Sequence, residues 1–316
     1  MKFKNLLKEK LKGKNKELDK GLEKLPSGYQ KIGDIIILNL DSSLLKFKKE
    51  IGEEALEIFK TGKVRSVCNK FGEIKGKFRE PQIEVIAGNE NTGTTHIENN
   101  CKYKLDIRKI MFAKGNVSER LRIARQVKNN EVVVDMFAGI GYFSVPIGKL
   151  AKAKKIYSIE LNPVSFSFLK ENIKINHISN VEVINGNCQE EIDKLVEKGV
   201  KADRVIMGYL PPPKEFLPWA FKIIKKKGVL HYEELVNTDK EKDDIDRVVE
   251  EVSNVGKKHD FKVKLLLAKK IKSYKPRVDH YVFDFRVFWK SEDLIFYHPN
   301  MFYITKTSYW FFLLKD

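Results

Sequence analysis

The tightest constraint on what this chain can fold into lies between positions 132 and 160. Val132-Val133-Val134 runs into Asp135 and then into Met136-Phe137-Ala138-Gly139-Ile140-Gly141, after which a helical pattern starts at about Tyr142. Two glycines between a strand and a helix mark a ligand loop, because glycine lets the backbone approach a bound molecule where a side chain would block it. An acid at the strand end can meet a cationic or hydroxyl group. The next apolar run, Lys155 to Ile159, ends in Glu160, 19 residues beyond Gly141. An acid at that spacing can accept both hydroxyls of a ribose. Taken alone Glu160 could equally be a helix N-terminal charge before Asn162-Pro163, but together with the glycine loop it reads as the ribose acid.

A dinucleotide fold requires a third glycine, here at position 144, so that the helix packs beneath the pyrophosphate. Ser144 stands there instead, after Tyr142 and Phe143. That departure argues against a dinucleotide and suits an adenosine ligand with no pyrophosphate, such as S-adenosylmethionine. Further on, Asn185-Gly186-Asn187-Cys188 follows a strand pattern at the place where an adenine edge would lie. Asn187 can offer it both donor and acceptor, or it can simply form the turn.

Around this loop, strand and helix patterns alternate. Strand patterns fall at Val132 to Val134, Lys155 to Ile159, Val181 to Ile184, Arg204 to Met207 and Gly228 to Tyr232, with helical stretches between them. Such alternation predicts a parallel sheet covered on both faces. After a helix from Ile245 to Val255, two further strand runs, Val263 to Lys269 and His280 to Phe288, are joined by a short link containing Pro276. A link that short permits antiparallel pairing and no crossover, so the sheet is expected to end in an antiparallel hairpin. Upstream, short strand and helix patterns from Ile32 to Asp106 read as a small α+β module. The expected organisation is a basic flank over 1–25, a small α+β domain over 26–108, a Rossmann-like domain over 109–288 and an aromatic extension over 289–316.

Lys and Arg total 60 against 43 acidic residues, a net charge of +17. That excess favours a polyanionic partner, nucleic acid above all, held through counterion release. Three cysteines, Cys68, Cys101 and Cys188, fit neither a disulfide framework nor a zinc site, which points to a reducing cytoplasm and no metal. No apolar run reaches the roughly 18 residues of a membrane span, and the lysine-rich start lacks the apolar core of a signal peptide.

Several stretches together resemble the tRNA guanosine-37 modification family, which includes N1-methyltransferases and the wybutosine-pathway aminocarboxypropyltransferases. They are Thr95-His96-Ile97-Glu98-Asn99-Asn100-Cys101-Lys102-Tyr103-Lys104-Leu105-Asp106, Met111-Phe112-Ala113, Ser118-Glu119-Arg120-Leu121-Arg122, Asp135 to Gly141, Ile159 to Pro163, and Ser273-Tyr274-Lys275-Pro276-Arg277. The resemblance spans roughly Leu25 to Phe288. It implies a class I S-adenosylmethionine-dependent methyltransferase fold, with Asp135, Phe137, Gly139, Gly141, Glu160, Asn187, Cys188 and Gly208 around the cofactor. It implies a tRNA anticodon arm as partner, with tRNA binding in the 26–108 domain and catalysis in the 109–288 domain.

Within that family, the position after the fourth parallel strand separates two chemistries. The methyltransferase branch has Asn-Leu-Pro there, whereas this chain reads Met207-Gly208-Tyr209-Leu210-Pro211. Glycine removes the amide that would hold a guanine edge, and the wording is similar to that of the aminocarboxypropyltransferases, as is Asn116-Val117-Ser118-Glu119-Arg120. The resemblance therefore implies transfer of a 3-amino-3-carboxypropyl group to a tricyclic base built from guanosine 37, with N1-methylation of guanosine 37 or non-catalytic tRNA binding as alternatives. Arg120, with Arg122 and Glu119 beside it, is the candidate for a carboxylate or a phosphate, against a plain ion pair on a helix. Tyr209 can stack on the base or merely pack, and His96 can be a base or a structural histidine. Arg65, Lys70, Lys75, Arg79, Lys275 and Arg277 are the expected RNA contacts. Two features depart from the family pattern: the stiff run Pro211-Pro212-Pro213, and the aromatic extension with Phe296-Tyr297 and Tyr309-Trp310-Phe311-Phe312.

Overall fold

A computed structural model describes residues 2–289 except Lys77, Pro212 and Pro213. The aromatic extension past Trp289 and two residues of the proline run therefore lie outside the described residues. In chain order the elements are α1 (Phe3–Leu11), α2 (Lys16–Asp19), β1 (Gln30–Ile32), β2 (Ile35–Leu38), α3 (Lys48–Ile58), β3 (Ser66–Lys70), β4 (Ile83–Gly88), β5 (Gly93–Glu98) and β6 (Cys101–Asp106). There follow α4 (Val117–Gln126), β7 (Val132–Asp135), α5 (Ser144–Leu150), β8 (Lys155–Glu160), α6 (Pro163–Ile175), β9 (Val181–Asn185), α7 (Cys188–Glu197), β10 (Ala202–Met207), α8 (Leu217–Ile223), β11 (Ile224–Asn237), α9 (Glu241–Lys258), β12 (Phe261–Lys275) and β13 (Val278–Trp289). Among the described residues, no helix is long and apolar enough to cross a membrane.

The chain divides into two compact units. The first comprises Met1–Lys114 together with Asn162–Ile178. Its four-stranded sheet runs β1-β2-β3-β4, with β2 and β3 parallel and the outer pairs antiparallel. The parallel pair requires a crossover, which α3 supplies by burying Ile51 and Ala55. The basic segment 1–25, expected as a solvated flank, is instead part of this core. Phe3, Leu7 and Leu11 recur every four residues on one face of α1 and pack with Leu18, Leu22, Leu25, Ile36 and Leu38. The lysines between them occupy the other face, so the charge that suggested a flank is the polar side of an amphipathic helix.

In the same unit, β5 and β6 form a two-stranded hairpin whose turn residues Asn99 and Asn100 have φ of 48° and 60°. Two left-handed residues match the twist of a tight hairpin. Its edge is closed by α6. Lys104 N–H donates to Asn172 Oδ1 at 2.7 Å and Lys102 N–H to Asn176 Oδ1 at 2.9 Å, while the two amide nitrogens donate back to the carbonyls of the same lysines. Two asparagines one helical turn apart thus satisfy the backbone of β6 as a neighbouring strand would.

The second unit comprises Gly115–Leu161 and the described part of Ser179–Asp316. Its seven-stranded sheet runs β12-β13-β11-β10-β7-β8-β9, with β11, β10, β7, β8 and β9 parallel and β13 antiparallel to both neighbours. The antiparallel ending is as the short link at Pro276 predicts. Each face carries its own apolar layer. Val134, Val205, Leu230 and Phe283 meet α7, α8 and α9 through Ile192, Phe221 and Val248, whereas Val133, Ile156 and Ile206 meet α4 and α5 through Ile123 and Ile147. Chain order reverses between β7 and β10, and the crevice outside their carboxyl ends is where such sheets bind ligands.

Because α1 is core rather than flank, truncating it should destabilise the fold. Leu11→Ala is expected to lower the unfolding free energy by about 2–5 kcal/mol in a denaturant titration, whereas Lys12→Ala on the exposed side should change it by about 0.5 kcal/mol or less.

Candidate cofactor and RNA site

The loop after β7 is pinned from both sides. Met136 N–H donates to Ile206 O on β10 at 3.0 Å and Ala138 N–H to Ile159 O on β8 at 2.9 Å. Between these anchors and α5, Gly139 and Gly141 have φ of 58° and 98°, which side chains rarely adopt. A Cβ at position 139 would also stand 2.6 Å from the Tyr142 ring. Glu160 joins the same loop, its Oε2 accepting from Gly139 N–H at 2.7 Å. The helix that follows is capped by Asn162, whose Oδ1 accepts from Val164 N–H, so Glu160 is turned toward the loop rather than spent as a helix cap.

Asp135 is fully buried at the end of β7. Its Oδ2 accepts from Ser144 Oγ at 2.6 Å, and Ser158 Oγ donates to Ser144 Oγ at 2.7 Å. Position 144, where a dinucleotide fold would have glycine, thus supplies a hydroxyl that holds the aspartate. Nothing in its spacing announced that role. Burial pushes the Asp135 carboxyl up to about 7, against the pull of the Ser144 hydroxyl and the Phe137 N–H. Its Oδ1 is buried without a hydrogen-bond partner among the described residues. A glycine cradle that a Cβ would fill, a buried acid with an open oxygen and a second acid at the end of β8 fit an adenosyl ligand.

Other expected cofactor residues have internal roles. Asn187 caps α7 through Gln189 N–H at 3.1 Å, the turn-forming alternative of the sequence reading. Burial pushes the Cys188 thiol up to about 12, so it remains protonated. Phe137 packs against Tyr209 at 5.4 Å between ring centroids and meets Phe216 edge-on at 5.2 Å. Gly208 has a steric reason to be glycine, since a Cβ there would lie 2.3 Å from the Phe143 ring. An asparagine at this position would require Phe143 to move.

Glu119, expected beside Arg120 in the candidate catalytic set, is engaged internally with Arg122. Glu119 is fully buried and both its oxygens accept from Arg122, at 2.6 and 2.8 Å. Arg122 also forks onto Asp284 of β13 at 2.5 and 2.9 Å. Asp284 in turn bonds His231 Nδ1 at 2.6 Å, and His231 Nε2 faces Arg204 Nη1 at 2.6 Å. Arg204 ends the chain on Glu131. A guanidinium only donates, so His231 Nε2 accepts and Nδ1 carries the proton toward Asp284. Burial likewise lowers the His231 pKa and keeps the ring neutral. Burial alone would raise the Asp284 pKa, but His231 and Arg122 outweigh it and hold the carboxyl well below its usual range. His231, Asp284 and Arg204 carried no signal in the sequence, because the network joins positions from Glu119 to Asp284. Arg120 points elsewhere, its guanidinium 4.8 Å from the centroid of the Tyr142 ring.

The basic residues fall into two groups. Arg65 is withdrawn from the expected RNA contacts: it donates to Asp34 Oδ2 at 2.7 Å, to Asn91 O at 2.6 Å and to Gly93 O. It is the clamp that holds the start of β5 to the β2–β3 region. Lys70 and Lys75 are exposed and Arg79 is half-buried, with φ of 57°. Lys275 and Arg277 are exposed at the turn between β12 and β13, where Arg277 has φ of 61° and a long 3.7 Å pairing with Asp239. His96 is structural. Its Nδ1 accepts from Gly33 N–H at 3.2 Å and its ring meets Phe112 edge-on. Among the described residues, no cluster of three His, Cys, Asp or Glu is placed to hold a metal.

A seven-stranded sheet with this order, an antiparallel ending and a glycine cradle beside the switch point defines a class I methyltransferase fold. The family model "TRM5/TYW2 methyltransferase domain" matches residues 94–265, and "TYW2 N-terminal domain" matches residues 7–92. The chain belongs to the TRM5/TYW2 family. It is 41% identical over 257 residues to a tRNA(Phe) (4-demethylwyosine(37)-C(7)) aminocarboxypropyltransferase of Methanocaldococcus jannaschii, covering 81% of this chain and 96% of that one. It is 40% identical over 276 residues to the protein of the same name from Pyrococcus horikoshii, covering 87% and 94%. The crystal structure of P. horikoshii TYW2 in complex with MeSAdo superposes with a TM-score of 0.76 at 34% identity, over 92% of this chain and all of that one.

Two outcomes follow from the buried charges. Arg122→Met should lower stability by about 3–5 kcal/mol, because it leaves Glu119 and Asp284 buried without their partner, and a denaturant titration measures the loss. Asp135 has a folded pKa raised above the ordinary value of about 3.9, so its contribution is fully present below that pH and is lost as pH rises to about 7. Asp135→Asn should therefore gain stability relative to the unsubstituted chain between about pH 4 and pH 7, with the gain level above; melting curves of both ligand-free proteins across that range test the sign.

Proposed function

We propose that this chain transfers the 3-amino-3-carboxypropyl group of S-adenosylmethionine to a carbon of the tricyclic wyosine-precursor base at position 37 of phenylalanine tRNA. A carbon–sulfur bond breaks, a carbon–carbon bond forms, the base carbon loses its proton and methylthioadenosine leaves. The observation that carries this reading is the similarity, over nearly their whole length, to two aminocarboxypropyltransferases of that tRNA. Gly208 supports it from the site itself, because the Phe143 ring leaves no room for the amide that guanine recognition would use.

Bound S-adenosylmethionine supplies an electrophilic carbon beside a sulfonium that departs as a neutral thioether. The chain's own residues bind and orient. Gly139 and Gly141 keep the backbone clear for the adenosyl portion, Glu160 offers a carboxylate for the ribose hydroxyls, and buried Asp135, held by Ser144, supports the loop from beneath. Arg120 is suited to the carboxylate of the methionine arm, since a guanidinium fork matches it bidentately. Phe137 and Tyr209 provide an aromatic pair on which an extruded base can stack. Lys70, Lys75, Arg79, Lys275 and Arg277 are assigned to phosphates of the anticodon arm, where they would set affinity more than selectivity.

Cofactor labelled separately at the methyl and carboxyl carbons, incubated with phenylalanine tRNA carrying the tricyclic precursor, tests the reading. Carboxyl label is expected in tRNA and methyl label in methylthioadenosine. Methyl label in tRNA would assign N1-methylation instead, and tight binding without transfer would assign a non-catalytic role.

A further inference from the structure

Past the end of β3, the chain of the first unit runs out into a hairpin before it returns as β4. Phe71 N–H donates to Gln82 O at 3.1 Å, and Lys75 and Glu80 exchange both backbone hydrogen bonds, at 3.0 and 2.8 Å. Gly76, with φ of 69°, helps the chain reverse. Paired backbone gives this excursion a definite shape, yet its side chains bury little. Phe71 is 55% exposed, Phe78 40% and Ile74 37%, three large apolar side chains within eight positions. Every other phenylalanine among the described residues is buried or half-buried. Apolar side chains concentrated on an ordered, exposed hairpin mark an interaction site.

The charges on the hairpin indicate what covers it. Between positions 70 and 80, Lys70, Lys75, Lys77 and Arg79 stand against Glu73 and Glu80, and each phenylalanine has a basic neighbour in the chain. Lys70 and Lys75 are exposed. Lysine is depleted where protein surfaces meet, because its ammonium is strongly hydrated, and this disfavours a protein partner. Aromatic faces interleaved with cations suit unpaired nucleotides, whose bases stack on the rings while their phosphates meet the cations. A base inside a duplex offers no open face, so the rings distinguish single strand from double.

We propose that the Phe71–Gln82 hairpin is a docking surface for unpaired nucleotides of the tRNA substrate, with Phe71 and Phe78 as its stacking platforms. This rests on tRNA being the substrate. It goes beyond that reading by giving the first unit a preference for single-stranded RNA, where its cations alone would supply affinity without selectivity.

Equilibrium binding without cofactor tests it, using the anticodon stem-loop of phenylalanine tRNA and a blunt-ended RNA duplex of equal length. Phe71→Ala and Phe78→Ala are each expected to weaken stem-loop binding about tenfold, the loss of one base–aromatic stack, and to leave duplex binding within about twofold. Phe71→Tyr and Phe78→Tyr keep an aromatic face and should bind the stem-loop within about twofold of the unsubstituted chain, whereas leucine at either position should lose as much as alanine. Ile97→Ala, at a side chain 61% exposed on β5 of the same unit, should bind both probes as the unsubstituted chain does. Melting curves matching that of the unsubstituted chain report that the variants are folded. Unchanged stem-loop binding in both alanine variants overturns the proposal and points to a partner of another class. Equal weakening of both probes overturns it as well, as does leucine binding as tightly as tyrosine. Failure of the proposed transfer is read independently, from methyl label reaching tRNA with the unsubstituted chain.

Discussion

Arg122 bridges Glu119 on its own helix to Asp284 on β13, and from Asp284 the contacts continue through His231 on β11 to Arg204 on β10 and Glu131. Much of what the catalytic unit presents at its ligand end depends on this run. It crosses three strands and fixes α4 over the sheet, and α4 carries Arg120. Buried ion pairs are weak evidence for stability, because desolvation offsets most of the Coulomb gain. Their effect is positional: each member has one arrangement in which all donors and acceptors are met, so the helix cannot slide without leaving a charge unpaired.

The cradle is built on a different principle. Its loop is tied to strands on both sides by backbone hydrogen bonds, and two left-handed glycines leave its inner surface free of side chains. Asp135 and Ser144 sit below as a buried hydroxyl–carboxylate pair. Rigid backbone above and a satisfied but incompletely used acid beneath constitute preorganisation for a ligand that brings its own donors. Beside it, Gly208 yields space to Phe143. The cradle and the strand end therefore differ in what selected glycine: backbone conformation in the loop, ring packing at position 208.

Much of the fold was legible because it rests on local pattern. Alternating strands and helices, the ligand loop, Glu160 at the end of β8 and the antiparallel ending all follow from periodicity and link length, and the structure has them. The errors came where local pattern and tertiary use diverge. The first 25 residues look like a lysine-rich flank, yet Phe3, Leu7 and Leu11 are core; a four-residue repeat diluted by charge is hard to separate from a solvated helix until its partner surface is known. Arg65 looks like an RNA contact, yet its donors are consumed by Asp34, Asn91 and Gly93. Asn162 caps a helix that belongs, by its contacts, to the first unit, because Asn172 and Asn176 complete the edge of β6.

By itself the sequence determined the sheet, the cradle and the class of ligand the cradle suits, since backbone conformation and residue spacing are properties of neighbouring positions. It also carried the family, through motifs that lie within single loops or helix starts. Only the tertiary structure decided which charged residues are spent internally and which remain available. Arg122 is spent on Glu119 and Asp284, whereas Lys275 and Arg277 stay exposed at the turn between β12 and β13. The physical reason is that satisfaction of a charge depends on groups brought together from distant strands, 162 positions apart for Arg122 and Asp284, and no local pattern records that.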